Sequence, residues 1–166
     1  GGVAGGASAA CRARRLDETA EIVLVERGPD MSFANCGLPY HIGGTIPSRE
    51  TLLVAKPEQL EGWYRLDLRP LTKALSIDAA AKTVRLRHVT TGKETDESYD
   101  ALILSPGAAP VRPALPGVDL DRVLTLRNLP DMDRIIEKAA GATSAVVIGG
   151  GYIGLEMAEN LRDLGL

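Results

Sequence analysis

The sequence has few cysteines and no long apolar runs, and these shortages exclude several classes of protein. Two cysteines among 166 residues are too few for the disulfide framework of a small secreted domain. No run of about 18 apolar residues occurs, so we predict no membrane span. The net charge of -3 gives no reason to expect a nucleic-acid partner. The overall balance is that of a soluble globular protein, and we expect a cytoplasmic location.

Glycine, by contrast, is plentiful, and much of it falls in clusters. The first cluster, residues 1–6, opens an alanine-rich stretch that predicts a helix over 7–16. The apolar run at 21–26 then predicts a buried parallel strand. Glycine loop, helix and strand form most of a dinucleotide-binding βαβ unit. Because such a loop is positioned by a preceding strand, we expect the chain to be truncated at its N-terminus.

This first loop departs from the usual fingerprint at one position. Gly1 and Gly6 fit the outer glycines, whereas Val3 replaces the middle one. Glu26 ends the predicted strand 20 residues after Gly6, where a carboxylate can accept hydrogen bonds from ribose hydroxyls. The loop therefore predicts a nucleotide site on the strength of Glu26 as well as of the glycines.

A later glycine cluster matches the dinucleotide-binding fingerprint at all three glycines. Gly149, Gly151 and Gly154 follow an apolar run at 145–148 that predicts a strand, and they precede a predicted helix at 155–164. The glycines let the backbone approach a pyrophosphate, whose charge a helix N-terminus favours. The other interpretation is a tight strand-to-helix turn without a ligand. Two such loops predict two dinucleotides, FAD and a nicotinamide cofactor.

The stretch between the glycine loops contains further predicted elements. Alternation at 83–87 indicates a strand, and the turn at 91–93 predicts a return strand. The apolar run at 99–104 predicts another buried strand, and 131–140 predicts a helix.

Cys36 lies in a loop between small and polar neighbours, shortly before Pro39. If a short helix begins near Asn35, the thiol lies at its N-terminus, which would lower the thiol pKa. A buried, inert cysteine is the other interpretation. Cys11 lies mid-helix among alanines, which favours inert packing. The two histidines show no metal-ligand spacing, so we predict no metal site.

Ser8, Arg12 and Arg15 share one face of the first predicted helix. Two guanidinium groups and a hydroxyl on one face suit a phosphorylated ligand. A solvated face with Asp17 and Glu18 nearby is the alternative.

Together these residues resemble the pyridine nucleotide-disulfide oxidoreductase family, and within it the coenzyme A-disulfide reductase branch, including members fused to a rhodanese domain. The match is spread over the whole chain. It is carried by the segments GGVAGGASAA, MSFANCGLPYHIGG, SYDALILSPGA, TLRNLPDMD and VVIGGGYIGLE.

The resemblance implies an α/β fold with a doubly wound, Rossmann-like FAD domain over 1–110 and a connector with a helix over 111–144. The start of an NAD(P)-binding domain would occupy 145–166, so we expect truncation at both ends. The residues implied for FAD are Gly1, Gly2, Val3, Ala4, Gly5, Gly6, Glu26, Ser105, Pro106 and Gly107. Those implied for NAD(P)H are Gly149, Gly151, Gly154 and Glu156.

The resemblance also implies that Cys36 is the redox nucleophile, which reduces coenzyme A disulfide or a related disulfide or persulfide through a mixed disulfide. Contacts to coenzyme A are implied for Ser8, Arg12, Arg15, Ser32 and Asn35, which favours ligand binding on the helix face. Tyr64 stands where some members carry a lysine contact. The family implies a homodimer at full length, with partner residues completing the site, so we expect the isolated chain to be inactive.

Two rival functions are compatible with these residues. Relatives with a Cys-x4-Cys pair form an internal disulfide, but Met31 and His41 occupy the matching positions around Cys36. The NADH oxidase and peroxidase branch instead cycles its cysteine through sulfenic acid. That branch typically has a histidine in the first glycine loop, where this chain has Ala4. The second rival is a non-enzymatic flavin-bound relay in which Cys36 is only structural.

Overall fold

The structure, a computed structural model, describes residues 1–166. Contacts between residues divide the chain into two compact units, one of residues 1–33 and 53–107, the other of 34–52 and 108–166. The first holds α1 (Gly5–Leu16), β1 (Val23–Val25), α3 (Pro57–Gly62), β2 (Asp67–Arg69), β3 (Thr72–Asp78), β4 (Thr83–His88) and β5 (Glu94–Ser98). The second holds α2 (Leu38–Ile42), α4 (Leu129–Ala139), α5 (Tyr152–Asp163) and the 3-10 turns Asn35–Gly37 and Arg49–Leu52.

The core of the first unit forms where α1 packs on β1. Ala7 and Ala10 face Leu24, and their small side chains let the helix lie close to the strand. Leu60 and Leu66 close the same cluster and are almost fully buried. β1 pairs in parallel with β2. The helix predicted over 7–16 and the strand predicted within 21–26 are therefore confirmed.

Strands β3, β4 and β5 form an antiparallel sheet with β4 in the middle. Val84 and Leu86 on β4 are buried, while the arginines that alternate with them are exposed. Arg87 lies opposite Glu94 and donates a 2.7 Å hydrogen bond to it across the strands. The predicted strand at 83–87 and its return strand are confirmed, because period-2 alternation matches a sheet with one buried face.

The second unit is helical, with α2 packed against both α4 and α5. Asn128 caps α4 by accepting a 2.9 Å hydrogen bond from the backbone N–H of Asp131. Leu129 and Met132 in its first turn are fully buried. Helices α4 and α5 begin two and three residues before their predicted starts at 131 and 155. None of the helices has the length and apolar character needed to cross a bilayer.

Two predicted strands, at 99–104 and 145–148, are wrong. Both segments are extended chain outside any sheet. Ile103 and Leu104 are 64% and 67% exposed, and Val146 and Ile148 are 88% and 79% exposed. An apolar run becomes a buried strand only where another strand satisfies its backbone hydrogen bonds, and no strand of this chain pairs with either segment.

Candidate functional site

The first glycine loop is held by the carboxylate of Glu26, which follows β1. The backbone N–H of Gly2 donates a 2.7 Å hydrogen bond to Oε2 of Glu26, and that of Gly28 donates one of 2.7 Å to Oε1. A carboxylate offers about four acceptor sites, so Glu26 retains capacity for further donors such as ribose hydroxyls. The structure therefore places Glu26 beside the loop, where the fingerprint predicted it.

Gly6 has no room for a side chain. A Cβ at this position would overlap the carbonyl oxygen of Gly1 and lie 3.4 Å from Cδ1 of Leu24. Its small size lets α1 begin directly against the loop and β1. Val3 is half-buried and Ala4 exposed, so the loop accommodates side chains where the fingerprint has its middle glycine.

Ser105 comes from a distant part of the same unit and lies beside this loop. A Cβ built on Gly5 would lie 3.2 Å from the Ser105 hydroxyl, and one on Gly1 would overlap the Ser105 carbonyl oxygen. Pro106 and Gly107 are exposed, and Gly107 has a φ of 68° that favours glycine. The structure thus brings Ser105 to the predicted flavin loop.

Ser32 forms part of the backbone framework under the loop. Its N–H donates a 3.0 Å hydrogen bond to the carbonyl of Gly2, and its own carbonyl accepts one of 2.7 Å from Val54. Ser32 is buried and has a φ of 50°, a conformation that costs a non-glycine residue about 1 kcal/mol or more. These bonds hold the residue in that conformation.

Ser8, Arg12 and Arg15 are all exposed on α1, opposite its buried alanines. Neither Arg12 nor Arg15 forms an ion pair within the chain. Both guanidinium groups can therefore bind an anionic ligand from solution.

Arg14, which the sequence interpretation passed over, is buried instead. It donates hydrogen bonds of 2.8 Å to the carbonyls of Tyr64 and Glu18, and of 3.1 Å to that of Arg65. Its signal in the sequence is its spacing, since Ala7, Ala10 and Arg14 repeat on the buried side of α1. Tyr64 itself is half-buried against the core of the first unit.

Cys36 is exposed in the 3-10 turn Asn35–Gly37, directly before α2. Gly37 is buried behind it, where a Cβ would lie 3.3 Å from Ile46. The amide of Asn35 donates a 3.5 Å hydrogen bond to the carbonyl of Arg127. The thiol is therefore displayed outward on an anchored turn, and the interpretation of Cys36 as a buried cysteine is wrong.

Cys11 differs from Cys36 in its surroundings. It is half-buried on α1 and packs against the core of the first unit. Burial raises the pKa of the Cys11 thiol, and the nearby positive charge of Arg15 offsets this in part. This environment agrees with the prediction of inert packing. Both cysteines are free thiols.

In the second glycine loop, as in the first, the last glycine of the fingerprint has no room for a side chain. A Cβ on Gly154 would overlap the carbonyl oxygen of Gly149 and lie 3.5 Å from Cγ1 of Val147. Gly149 has a φ of 109°, which side chains rarely allow. Gly151 precedes α5 without a side-chain cap, so the first N–H groups of this helix have no side-chain acceptor. The loop retains donors for an anionic group.

Tyr40 on α2 is a second residue that the sequence interpretation missed. The negative charge of Glu156, then desolvation and the charge of Glu159, raise the pKa of Tyr40. Its sequence signal is its position four residues after Cys36, one helical turn along the chain.

Comparison with known proteins identifies the family. The model of the family described as pyridine nucleotide-disulphide oxidoreductase matches residues 1–166. The chain belongs to this family. A curated relative, a coenzyme A disulfide reductase of Staphylococcus aureus, is 42% identical over all of this chain. The chain spans 38% of the length of that relative.

Two solved structures share the fold. The reduced CoADR-RHD of Bacillus anthracis is 51% identical, with a TM-score of 0.96 over 100% of this chain and 30% of that one. The water-forming NADH oxidase of Lactobacillus brevis, bound to NADH, is 33% identical, with a TM-score of 0.94 over 99% of this chain and 36% of that one.

These matches confirm the family predicted from the motifs, its α/β nucleotide-binding fold and its class as redox enzymes. The predicted cofactor classes, FAD and NAD(P)H, are those of this family. The domain boundaries and the roles of individual residues stay predictions.

Proposed function

We propose that this chain is part of an FAD-dependent NAD(P)H oxidoreductase that reduces coenzyme A disulfide, or a related disulfide or persulfide, through Cys36. The observation that carries the proposal is the outward display of a single thiol on an anchored turn. The other thiol, Cys11, is half-buried in a helix and less readily ionised. With one accessible thiol, the chemistry pairs Cys36 with a sulfur from the substrate.

The first glycine loop is the proposed FAD site. The free acceptor capacity of Glu26 suits ribose hydroxyls, and Gly6 permits the close approach of α1 to the loop. Ser105 lies beside the loop and would line the same site. When bound, the flavin supplies the two-electron transfer from the nicotinamide that side chains cannot perform.

The second glycine loop is the proposed NAD(P)H site. Gly149, Gly151 and Gly154 leave the backbone accessible to a pyrophosphate at the uncapped end of α5. Glu156 lies one turn into the helix and completes the group of residues proposed for this cofactor.

The thiol chemistry can be written from Cys36 alone. Its thiolate attacks one sulfur of the disulfide, and the other sulfur leaves as a thiolate. The product is a mixed disulfide on Cys36. Two electrons that originate from NAD(P)H then cleave this bond, which restores the Cys36 thiolate and releases the second thiol.

The exposed face of α1 is the proposed site for the phosphates of coenzyme A. Arg12 and Arg15 are unpaired there and carry two positive charges beside the Ser8 hydroxyl. Ser32 and Asn35 are proposed as further contacts. The proposal extends to a homodimer at full length and to a cytoplasmic location, as the family resemblance implies.

Substitution of Cys36 tests the function directly. In the full-length protein we expect Cys36→Ser to lower coenzyme A disulfide-dependent NAD(P)H oxidation by about 100-fold or more, since serine is a poor nucleophile at neutral pH. The matched control is Cys11→Ala, which should keep most of the activity. Steady-state rates that are equal for Cys36→Ser and the parent protein would refute the proposal and would favour a flavin-bound relay.

An NADH oxidase or peroxidase is the second candidate, favoured by the similarity to the Lactobacillus brevis enzyme. Against it, Ala4 is exposed at the start of α1 and carries no group that could donate or accept a proton. Measured values of kcat/KM for coenzyme A disulfide, oxygen and peroxide distinguish the candidates. Faster turnover of oxygen or peroxide would overturn the reductase assignment.

A further inference from the structure

Trp63 is the one tryptophan of the chain, and its side chain lies in solvent. It follows α3 directly and is 75% exposed, although burial of so large an aromatic side chain usually stabilises a protein. Its backbone N–H donates a 2.9 Å hydrogen bond to the carbonyl of Gln59 and so closes the last turn of α3. The backbone of Trp63 is therefore fixed, while its indole is accessible to a ligand.

The chain next to Trp63 is fastened to the C-terminal end of α1. The guanidinium group of Arg14 donates hydrogen bonds of 2.8 Å to the carbonyl of Tyr64 and of 3.1 Å to that of Arg65. Arg65 in turn donates a 2.9 Å hydrogen bond to the carbonyl of Glu18, just beyond α1. Because Trp63 directly precedes Tyr64, it lies at the edge of this contact, beside the last turn of α1.

The same end of α1 carries two exposed cations. Arg12 and Arg15 are exposed there, and neither forms an ion pair within the chain. Cys11 lies between this face and the buried one, since it precedes Arg15 by one helical turn and packs on the core cluster. Tyr64 packs on the same cluster. An exposed indole, that of Trp63, and two unpaired guanidinium groups thus border one stretch of surface.

Two cations beside an aromatic ring match the chemistry of a nucleotide. Guanidinium groups bind phosphate oxygens, and the flat face of an indole stacks on a base. Inorganic phosphate would use the cations alone, and an apolar peptide would cover them without supplying an anion. Coenzyme A carries an adenine next to three phosphate groups, at the opposite end of the molecule from its sulfur. It therefore supplies a partner for the ring as well as for the cations.

We propose that Trp63 stacks on the adenine of coenzyme A and makes the substrate site specific for a disulfide that carries a nucleotide. The inference rests on the proposed function, in which Arg12 and Arg15 bind the phosphates of the same molecule. Trp63 takes no part in the thiol chemistry, so it stabilises the bound substrate and the transition state equally. Binding of this kind lowers KM and leaves kcat unchanged. A disulfide without adenine gains nothing from Trp63.

The test compares coenzyme A disulfide with pantethine, a disulfide that keeps the reactive arm and lacks the nucleotide. In the full-length flavoprotein we expect Trp63→Ala to raise KM for coenzyme A disulfide about tenfold, the scale of one lost base stack, with kcat unchanged. Its kcat/KM for pantethine should equal that of the parent. Trp63→Phe should keep most of the affinity, because a phenyl ring still stacks on a base. Val89→Ala, at a 51% exposed position directly after β4, is the matched control and should change neither substrate.

Direct binding separates this inference from the proposed function, because it needs no turnover at Cys36. In titration calorimetry, Trp63→Ala should raise the Kd of adenosine 3′,5′-bisphosphate about tenfold and leave that of pyrophosphate, which has no base, unchanged. Equal changes for both ligands or both disulfides, or parent values throughout, would overturn the inference. A raised KM for NAD(P)H or a loss of flavin would also overturn it, since the indole would then serve a cofactor. A parent protein that binds the bisphosphate through Trp63 but does not reduce coenzyme A disulfide would support the stacking site and refute the proposed function.

Discussion

At the scale of single residues, the first unit depends on a buried cation. Arg14 is 7% exposed and bonds backbone carbonyls directly after α1, at Glu18, and directly after α3, at Tyr64 and Arg65. We expect Arg14→Ala to lower the free energy of unfolding by about 3 kcal/mol, because the carbonyls lose their donors and a cavity remains. Urea denaturation of the full-length protein measures this. Arg15→Ala, on the exposed side of the same helix, should change it by less than about 0.5 kcal/mol. Equal effects of the two variants would contradict this role.

Residues of the candidate site could be predicted where a single local sequence pattern identifies them. Gly6, Gly154 and Glu26 follow from a fingerprint whose spacing expresses a steric rule. Arg14 and Tyr40 were missed because each is defined by partners distant in the sequence, carbonyls after α3 in one case and a carboxylate of α5 in the other. Charge, helical spacing and the family resemblance placed emphasis on Arg12 and Arg15, whereas burial distinguishes Arg14.

At the scale of elements, the two glycine loops give separable predictions. Gly154→Ala should weaken NAD(P)H binding at least about tenfold without loss of flavin, because the added methyl group displaces the carbonyl of Gly149. Gly6→Ala should reduce the flavin content instead. Flavin absorbance and nucleotide titration measure the two effects. Gly62→Ala, which has open space around it, is the control and should leave both unchanged. Loss of flavin in Gly154→Ala would show that the loops are not independent.

In the antiparallel sheet, the contribution of buried packing to stability can be measured separately from that of surface charge. We expect Leu86→Ala on β4 to cost about 3 kcal/mol, because the side chain is 2% exposed and its loss leaves a cavity. Arg85→Ala removes exposed ion pairs with Asp96 and Glu94 and should cost much less than Leu86→Ala. Denaturant midpoints with unchanged slopes would measure both values. A larger cost for Arg85→Ala would mean that the cross-strand charges hold the sheet.

A helix or strand could be predicted where the sequence of the segment itself determines its structure. The alternation on β4 and the alanine-rich α1 are local patterns, and both elements formed. The apolar runs at 99–104 and 145–148 express only a preference for burial. Whether they become strands depends on a hydrogen-bonding neighbour, which the composition of the segment does not encode.

At the scale of the whole molecule, these two runs leave apolar surface uncovered. Ile103, Leu104, Val146 and Ile148 are each more than 60% exposed. We expect residues 1–166 produced alone to bind the dye ANS more strongly than the full-length protein, because ANS binds exposed apolar surface. Fluorescence titration at equal concentrations measures this. Val146→Thr with Ile148→Thr should lower the signal of the short chain. Equal dye binding by the two lengths would contradict this expectation.

The hydrogen bonds of Arg14 also bear on how the protein is made. Its acceptor at Tyr64 lies 50 residues further along the chain. At a synthesis rate of about 5–20 residues per second, about 3–10 seconds pass between the synthesis of Arg14 and that of this acceptor. Until then the guanidinium group can bond only the carbonyls of Asp17 and Glu18, which lie close to it in the sequence. The hydrogen bonds that Arg14 donates to Tyr64 and Arg65 therefore form only after α3 has been synthesised, so α1 acquires its full set of tertiary contacts late.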